Sequence, residues 1–365
     1  VSDHERGNHD PIALWCVPVA DLGGVARHVL DATRAGIPGW RVVVLCPEGP
    51  LAEELRAQGT PVVTGPVSPA DGTRAAVRTI RRTLHRLRPD LLHTHLAFAD
   101  LAGVAAVTGL RSGRGRRIRL ISTEHGISGV RGYYQAGTTQ AQVKAGAHRA
   151  RLVRTDRVIA VSDSTAEQIA AQWGSGRKVT VIRNGVDLPE NPPTPRPGLR
   201  VLSLARLSPE KNIDQLLRAF ALVAGERPDA RLTIAGRGQE EGALRTLADA
   251  LHLHDVVDFP GHVDAGEALR SHDVVVQLSA WENLSYTLLD AVAHGLGVVA
   301  TDVGGNREIV PEHCLVPAGD ATKEVARQIL AQGTAPDRRP APANPEHTGA
   351  AMTLALAEAY REIAA

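Results

Sequence analysis

Only three cysteines, Cys16, Cys46 and Cys314, occur in 365 residues, far apart and without a CxxC spacing. They offer no framework of disulfides, and Cys16 and Cys46 lie in apolar runs, so buried thiols in a reducing cytoplasm are expected. Lysine is nearly absent, found only at Lys144, Lys178, Lys211 and Lys323, and arginine carries the rest of the positive charge. That bias reads as a GC-rich coding genome and weakens any argument from arginine clusters alone. The net charge of +1 gives no global field for nucleic acid. No apolar run is long enough to cross a bilayer, and the polar start Val1–Asp10 lacks an apolar signal core. No fixed-period repeat appears. No two aspartates are separated by one residue, so an Asp-x-Asp element that could hold a divalent ion is missing. Neither a resident metal nor a cofactor is expected.

What is present is a repeated alternation of short β-branched runs and longer amphipathic stretches. Candidate strands are Ile12–Val17, Arg41–Leu45, Pro61–Val63, Leu91–His93, Ile118–Ser122, Val158–Val161 and Val179–Ile182, with helical patterns at Val25–Ala35, Thr73–Leu87 and Ala97–Thr108. Nearly continuous apolar strands followed by helices predict a parallel sheet covered on both faces. Four prolines between Asn191 and Gly198 interrupt the pattern. It restarts with strands at Arg200–Leu204, Arg231–Ala235, Val256–Phe259, Val274–Leu278 and Gly297–Ala300, and helices near Ile213–Val223, Glu240–Leu251, Leu284–His294 and Thr322–Leu330. The expected fold class is α/β, with two Rossmann-like domains facing across a cleft. The first domain is expected at 1–190, a linker at 191–198, the second domain at 199–345, and a C-terminal helix at 346–365 returning to the first domain.

The segment Ser279–Gly295 follows an apolar strand and opens a helix. Unpaired N–H groups at such a start suit a phosphate, here from Tyr286, Thr287 and Leu288. Glu282 sits in the loop and Asp290 about two turns in, so one acid can reach a sugar and the other a ribose. A capped surface helix with two solvated acids explains the same residues equally well. Arg206 and Lys211, at the end of the Arg200–Leu204 strand, tip the balance. Two cations fixed at a strand's carboxyl end can neutralise a leaving diphosphate.

These motifs resemble the retaining, nucleotide-sugar-dependent family 4 glycosyltransferases of GT-B fold. The resemblance rests on Arg206-x4-Lys211, on Glu282 and Asp290 with seven residues between, on Asn184–Asp187, Ala235–Gly238 and Phe259–Gly261, and on Asp302–Glu308 as Asp-x-Gly-Gly-x-x-Glu. It implies catalytic roles for His125, Arg206, Lys211 and Glu282. Donor contacts are implied at Gly23, Gly24, Gly236, Gly238, Gly261, Val263, Tyr286, Thr287, Leu288 and Asp290. His93, His95 and Glu124 fall on the acceptor side, and Ser162 is architectural. The family's retaining transfer is a front-face displacement in which the leaving phosphate oxygen takes the acceptor's proton. The donor is expected to be a UDP-sugar carrying a hexose or N-acetylhexosamine, with GDP second, and the acceptor is left open. Asp290 in place of Glu, Gly297 in place of Pro and Asn283–Leu284 after the first acid depart from the family pattern and bear on the donor. Other readings are another GT-B enzyme, such as an epimerase or phosphorylase, or a non-catalytic nucleotide-sugar binder. A dehydrogenase is disfavoured because Asp21–Ala26 is not G-x-G-x-x-G. Basic residues on Thr73–Leu87 and at Arg111–Arg117 raise a second expectation, peripheral docking on an anionic membrane. A solvated arginine-rich face is preferred, because that helix has no aromatic anchor.

Overall fold

The computed structural model describes residues 10–126, 146, 148–174, 178–189, 194–341 and 344–364. The described chain divides into two compact units. One holds the residues up to Asn184 together with the helix Gly349–Ala364, and the other holds Gly185–Thr348.

In the first unit a seven-stranded sheet has the order β3-β2-β1-β4-β5-β6-β7. The strands are β1 Ile12–Cys16, β2 Arg41–Cys46, β3 Val62–Thr64, β4 Leu91–His95, β5 Arg119–Glu124, β6 Arg157–Ala160 and β7 Val179–Val181. All pairings are parallel. Side chains of β1 alternate between two apolar layers. Ala13, Trp15 and Val17 pack with α1 (Gly24–Ala35), α2 (Pro50–Ala57) and the final helix. Leu14 and Cys16 pack with α3 (Thr73–Leu87) and α4 (Leu96–Val107). The final helix contributes Met352, Leu356, Tyr360 and Ile363 to the first layer, so it is part of this unit's core.

In the second unit β8 Arg200–Leu204, β9 Arg231–Ala235, β10 Val257–Gly261, β11 Val274–Gln277, β12 Gly297–Thr301 and β13 Leu315–Val316 form a parallel sheet. Its order is β10-β9-β8-β11-β12-β13. Helices Ile213–Glu226, Glu241–Ala250 and Thr322–Thr334 cover one face, and Ala265–Ser271 with Tyr286–Ala293 cover the other. Both sheets are doubly wound, and the strand order reverses between β1 and β4 and again between β8 and β11. Loops leaving the carboxyl ends of those strands diverge, and the crevice they leave is where such sheets bind ligands.

The chain passes between units at Asn184–Gly185 and at Thr348–Gly349, not at the proline-rich stretch. The Val186 N–H donates to the His347 carbonyl (2.8 Å), so the two crossing segments pair with each other. Residues 194–198, expected as linker, are anchored to the second unit. Gly198 N–H donates to Gly333 O (2.8 Å) and Arg339 donates to Arg196 O (2.8 Å). The part of that stretch at 191–193 lies outside the described residues.

Some residues of the basic clusters are committed to the fold, while Arg74, Arg78, Arg82, His85 and Arg86 are exposed. Arg81 donates to the Ala106 and Thr108 carbonyls at the end of α4 (3.0 and 2.9 Å). Arg116 donates to Ala364 O (3.0 Å), and Arg117 pairs with Asp156. Among the described residues no helix is long and apolar enough to cross a membrane.

Gly236 shows how closely the second unit's loops approach. Its φ is +136°, and a Cβ there would lie 1.9 Å from the Ala205 carbonyl oxygen. Gly236→Ala must therefore strain its own backbone and push the β8 loop away. A loss of about 2 kcal/mol or more in urea unfolding is expected. Unchanged stability would show that the two loops are not in this contact.

Candidate active site

In the second unit the loops after β8 and β11 are tied together at the point where the strand order reverses. Lys211 ion-pairs with Glu282 and donates to the Ser279 hydroxyl (3.2 Å), which donates to Glu282 Oε1 (2.8 Å). Asn212 Nδ2 donates to Leu278 O (2.8 Å), and the Ala280 N–H donates to Glu210 O (2.7 Å). Glu210 is buried beneath this knot. It accepts from Ser208 Oγ (2.7 Å) and from Arg206 (3.3 Å). Burial alone would raise its carboxyl, but the Ser208 bond, its own backbone N–H and the charges of Arg206 and Lys211 more than offset that and hold it below its ordinary value. Arg206 extends from this anchor with 68% of its side chain exposed, while Lys211 keeps 19%. One cation is thus held in the loop and the other is open to meet a ligand.

The helix Tyr286–Ala293 begins at the same edge. Ser285 caps it, accepting from the Leu288 N–H (3.3 Å) and donating to Gln277 Oε1 of β11 (2.7 Å). Tyr286 and Thr287 are half-buried, and Leu288 and Asp290 are buried. On the other side of Glu282, a Cβ at Gly304 would lie 1.9 Å from the Glu282 carbonyl, and Gly305 N–H donates to Asn283 O (2.7 Å). The Asp-x-Gly-Gly segment therefore fixes the Glu282 loop by backbone contact. Gly238 has a related task, since a Cβ there would overlap the Leu207 carbonyl at 2.0 Å. Gly261 closes the row, its carbonyl accepting from the Gly236 N–H (2.7 Å), with Val263 half-buried two residues on.

In the first unit the reversal between β1 and β4 is filled with aromatic rings. Trp15 of β1 is wholly buried against His93 and His95 of β4, with ring centroids 4.9 and 4.8 Å away. His125, just after β5, stacks on His95 at 5.1 Å and meets the edge of His28 from α1 at 4.8 Å. His95 Nδ1 and His125 Nε2 are hydrogen-bonded at 2.8 Å, and His28 Nδ1 lies 3.1 Å from Asn184 Oδ1. His93 is held between the Tyr360 hydroxyl (2.5 Å) and the Thr123 hydroxyl (2.6 Å). Burial pushes all four imidazoles down, His28 to about 4 and the others well below their ordinary value. The rings are therefore neutral at pH 7. Nitrogens of His28, His95 and His125 lie within 4.8 Å of one another, the one grouping among the described residues whose spacing a metal could use.

Two family models match successive parts of the chain: Glycosyltransferase Family 4 over residues 22–190 and Glycosyl transferases group 1 over residues 188–338. The chain belongs to the family 4 glycosyltransferases. It is 28% identical over 333 residues to a glycogen synthase of Mycobacterium tuberculosis, covering 81% of this chain and 78% of that protein. It is 24% identical over 338 residues to a human phosphatidylinositol N-acetylglucosaminyltransferase chain, covering 87% and 68%. In fold it is similar to Anabaena HepE in complex with UDP and glucose, with a TM-score of 0.75, 21% identity, and 97% and 98% of the two chains covered. Sucrose-phosphate synthase from Thermosynechococcus elongatus superposes with a TM-score of 0.69 at 21% identity, covering 97% and 99%.

Within this glycosyltransferase, Arg206, Lys211, Glu282 and the Tyr286–Leu288 helix start converge on one edge of the second sheet. Gly23 and Gly24 behave differently from the other glycines. Both are exposed at the start of α1, and a Cβ at either would meet nothing within 4 Å. Packing does not require glycine there. Two acceptor-side expectations need correction. Glu124 is 2% exposed and ion-paired to Arg151 (2.9 Å), which also pairs with buried Asp100. Burial pushes both carboxyls up and the Arg151 charge pulls them back, so Glu124 belongs to an internal triad under β5. His93 is fully buried with both nitrogens bonded, which gives it a role in joining β4 to the final helix. Sequence reasoning missed His28 and Trp15. The Trp15-x77-His93 pairing is visible only once β1 and β4 are known to be neighbours, where Trp15 stands opposite His93.

The neutral histidines have a pH signature. His28 has a folded value of about 4, below the ordinary 6.5, so the folded protein binds fewer protons between those limits. Its contribution to stability is complete above 6.5 and is lost as pH falls towards 4. His28→Gln is expected to flatten the acid side of the stability profile by roughly 1–3 kcal/mol relative to wild type. Parallel profiles from urea unfolding at pH 4.5 and 7 would contradict this placement.

Proposed function

We propose that this protein transfers a hexose or N-acetylhexosamine from a UDP-sugar to a hydroxyl acceptor, with retention of anomeric configuration and without a metal ion. The observation that carries the reading is the anchored cation pair of the second unit. Arg206 and Lys211 stand beside Glu282 and the start of the helix Tyr286–Ala293, whose first turn is capped by Ser285. A diphosphate leaving group needs two things, charge neutralisation and donors already oriented, and this edge offers both. HepE, similar in fold, has been seen with UDP and with UDP-glucose, which supports uridine as the base. The glycogen synthase and N-acetylglucosaminyltransferase relatives support a hexose or its N-acetylamino derivative.

In this reading Glu282 and Asp290 hold donor hydroxyls, on the sugar and the ribose respectively. Lys211 and Arg206 meet the diphosphate, and Lys211 exchanges part of its pairing with Glu282 for the phosphate charge. The bond from the anomeric carbon to the phosphate oxygen breaks as the acceptor oxygen attacks from the same face, and the departing phosphate oxygen takes the acceptor's proton. Catalysis is then chiefly positioning and leaving-group electrostatics. Nothing in the chemistry calls for an enzymic carboxylate nucleophile.

Arg206→Ala and Lys211→Ala should each lower sugar transfer by about two to three orders of magnitude while the protein stays folded. Excess chelator should leave the wild-type rate unchanged. The measurement is release of UDP from UDP-hexose in the presence of acceptor candidates. Folded variants with near-normal rates would refute the cation assignment, and a strict need for Mg²⁺ or Mn²⁺ would refute the metal-free mechanism.

A further inference from the structure

The hydrogen bond between His95 and His125 fixes more than their separation. Both rings are neutral, so each has one nitrogen with a proton and one without. A single proton lies between His95 Nδ1 and His125 Nε2 at 2.8 Å. If His125 Nε2 donated it, His95 would carry its own proton on Nε2. That atom is buried and makes no hydrogen bond. A stranded N–H in the interior costs about 1–3 kcal/mol, and orphaned donors are rarer than orphaned acceptors. The stacked His93 ring offers no relief. Its plane is within 29° of the His95 plane, so a proton in the His95 plane does not point into the His93 face. With His95 Nδ1–H as the donor, the stranded atom is only a lone pair.

We infer that His95 is a positioning residue that holds His125 as its Nδ1–H tautomer, so that the group His125 turns to a ligand is a hydrogen-bond donor and not a base. His125 Nε2 is occupied by His95, and Nδ1 makes no hydrogen bond among the described residues. His28, edge-on at 4.8 Å and bonded to Asn184, packs against the face of His125 and limits its rotation. The matching ligand group is an electron-rich oxygen, a sugar hydroxyl or a phosphate-bridging oxygen accepting a hydrogen bond. This deepens the proposed transfer and rests on the catalytic role that the family resemblance implies for His125. A donor there suits a mechanism in which the leaving oxygen, and no side chain, collects the acceptor's proton. The titratable groups around His125 are His28, His93 and His95, all neutral, so none supplies a second proton near pH 7.

The test is long-range ¹H–¹⁵N correlation on the full chain with ¹⁵N-labelled histidine at pH 7, the His125 signals being assigned with His125→Gln. The expected pattern is protonated Nδ1 and bare Nε2 at His125, with the reverse protonation pattern excluded. In His95→Ala the His125 signals should move towards the Nε2–H form that free imidazole favours, and transfer should fall roughly 10- to 100-fold at saturating donor. His95→Asn, which restores an N–H near the Nδ1 position, should recover both. Protonated Nε2 on His125 in the wild type would overturn the inference, even if no His95 variant folds. So would a stoichiometric metal found by elemental analysis of the protein purified without chelator, because it would take the same nitrogen lone pairs. If the tautomer is as stated but His125→Ala keeps full transfer, the placement of His125 at the substrate fails and the His95–His125 relation stands.

Discussion

Parallel pairing is the constraint from which the rest follows. In a parallel sheet every strand ends at the same edge, and every connection returns over a face. Both sheets here also reverse their winding beside the first strand, between β1 and β4 and between β8 and β11. At those two points the loops have to part. Residues that would be remote in an antiparallel fold are brought side by side there: Lys211 with Glu282 in one unit, Trp15 with His93 and His125 with His28 in the other. The chemistry of each edge then depends on what the parted loops carry.

The two edges solve different electrostatic problems. In the second unit charge is kept near the surface and balanced locally. Glu210 sits under Arg206, and Glu282 beside Lys211, so both cations are held in place before any anion arrives. In the first unit charge is removed. Three imidazoles, His28, His93 and His95, surround Trp15 and His125 stacks on His95, and burial keeps all four neutral. The single buried charge cluster described there, Asp100–Arg151–Glu124, lies under the end of β5 and steadies the strand that delivers His125.

Much of this was legible from sequence because local signals and fold agreed. Continuous apolar runs marked the strands, and the motifs around Arg206, Glu282 and Gly304 were read at strand ends, where they lie. What escaped notice depended on distant partners. β13 has two residues and exists only by pairing with β12. The helix Pro50–Ala57 is too short for its periodicity to stand out. The prolines mark a unit boundary in the sequence, yet the chain crosses at Asn184–Gly185, because Arg196 and Gly198 find partners in Arg339 and Gly333. Glu124 looked like a site acid because its partner Arg151 is 27 residues away in sequence. Arg81 looked like a surface charge although it closes the end of α4.

The central claim is sugar transfer from a uridine donor with its configuration kept and no metal involved. Proton NMR of the reaction with an α-linked UDP-hexose, in the presence of chelator, tests it most directly. The account predicts that the UDP-hexose anomeric signal gives way to a product whose anomeric coupling is also that of the α-anomer, with UDP released in step. A β-linked first product, or no transfer until a divalent ion is added back, would contradict it.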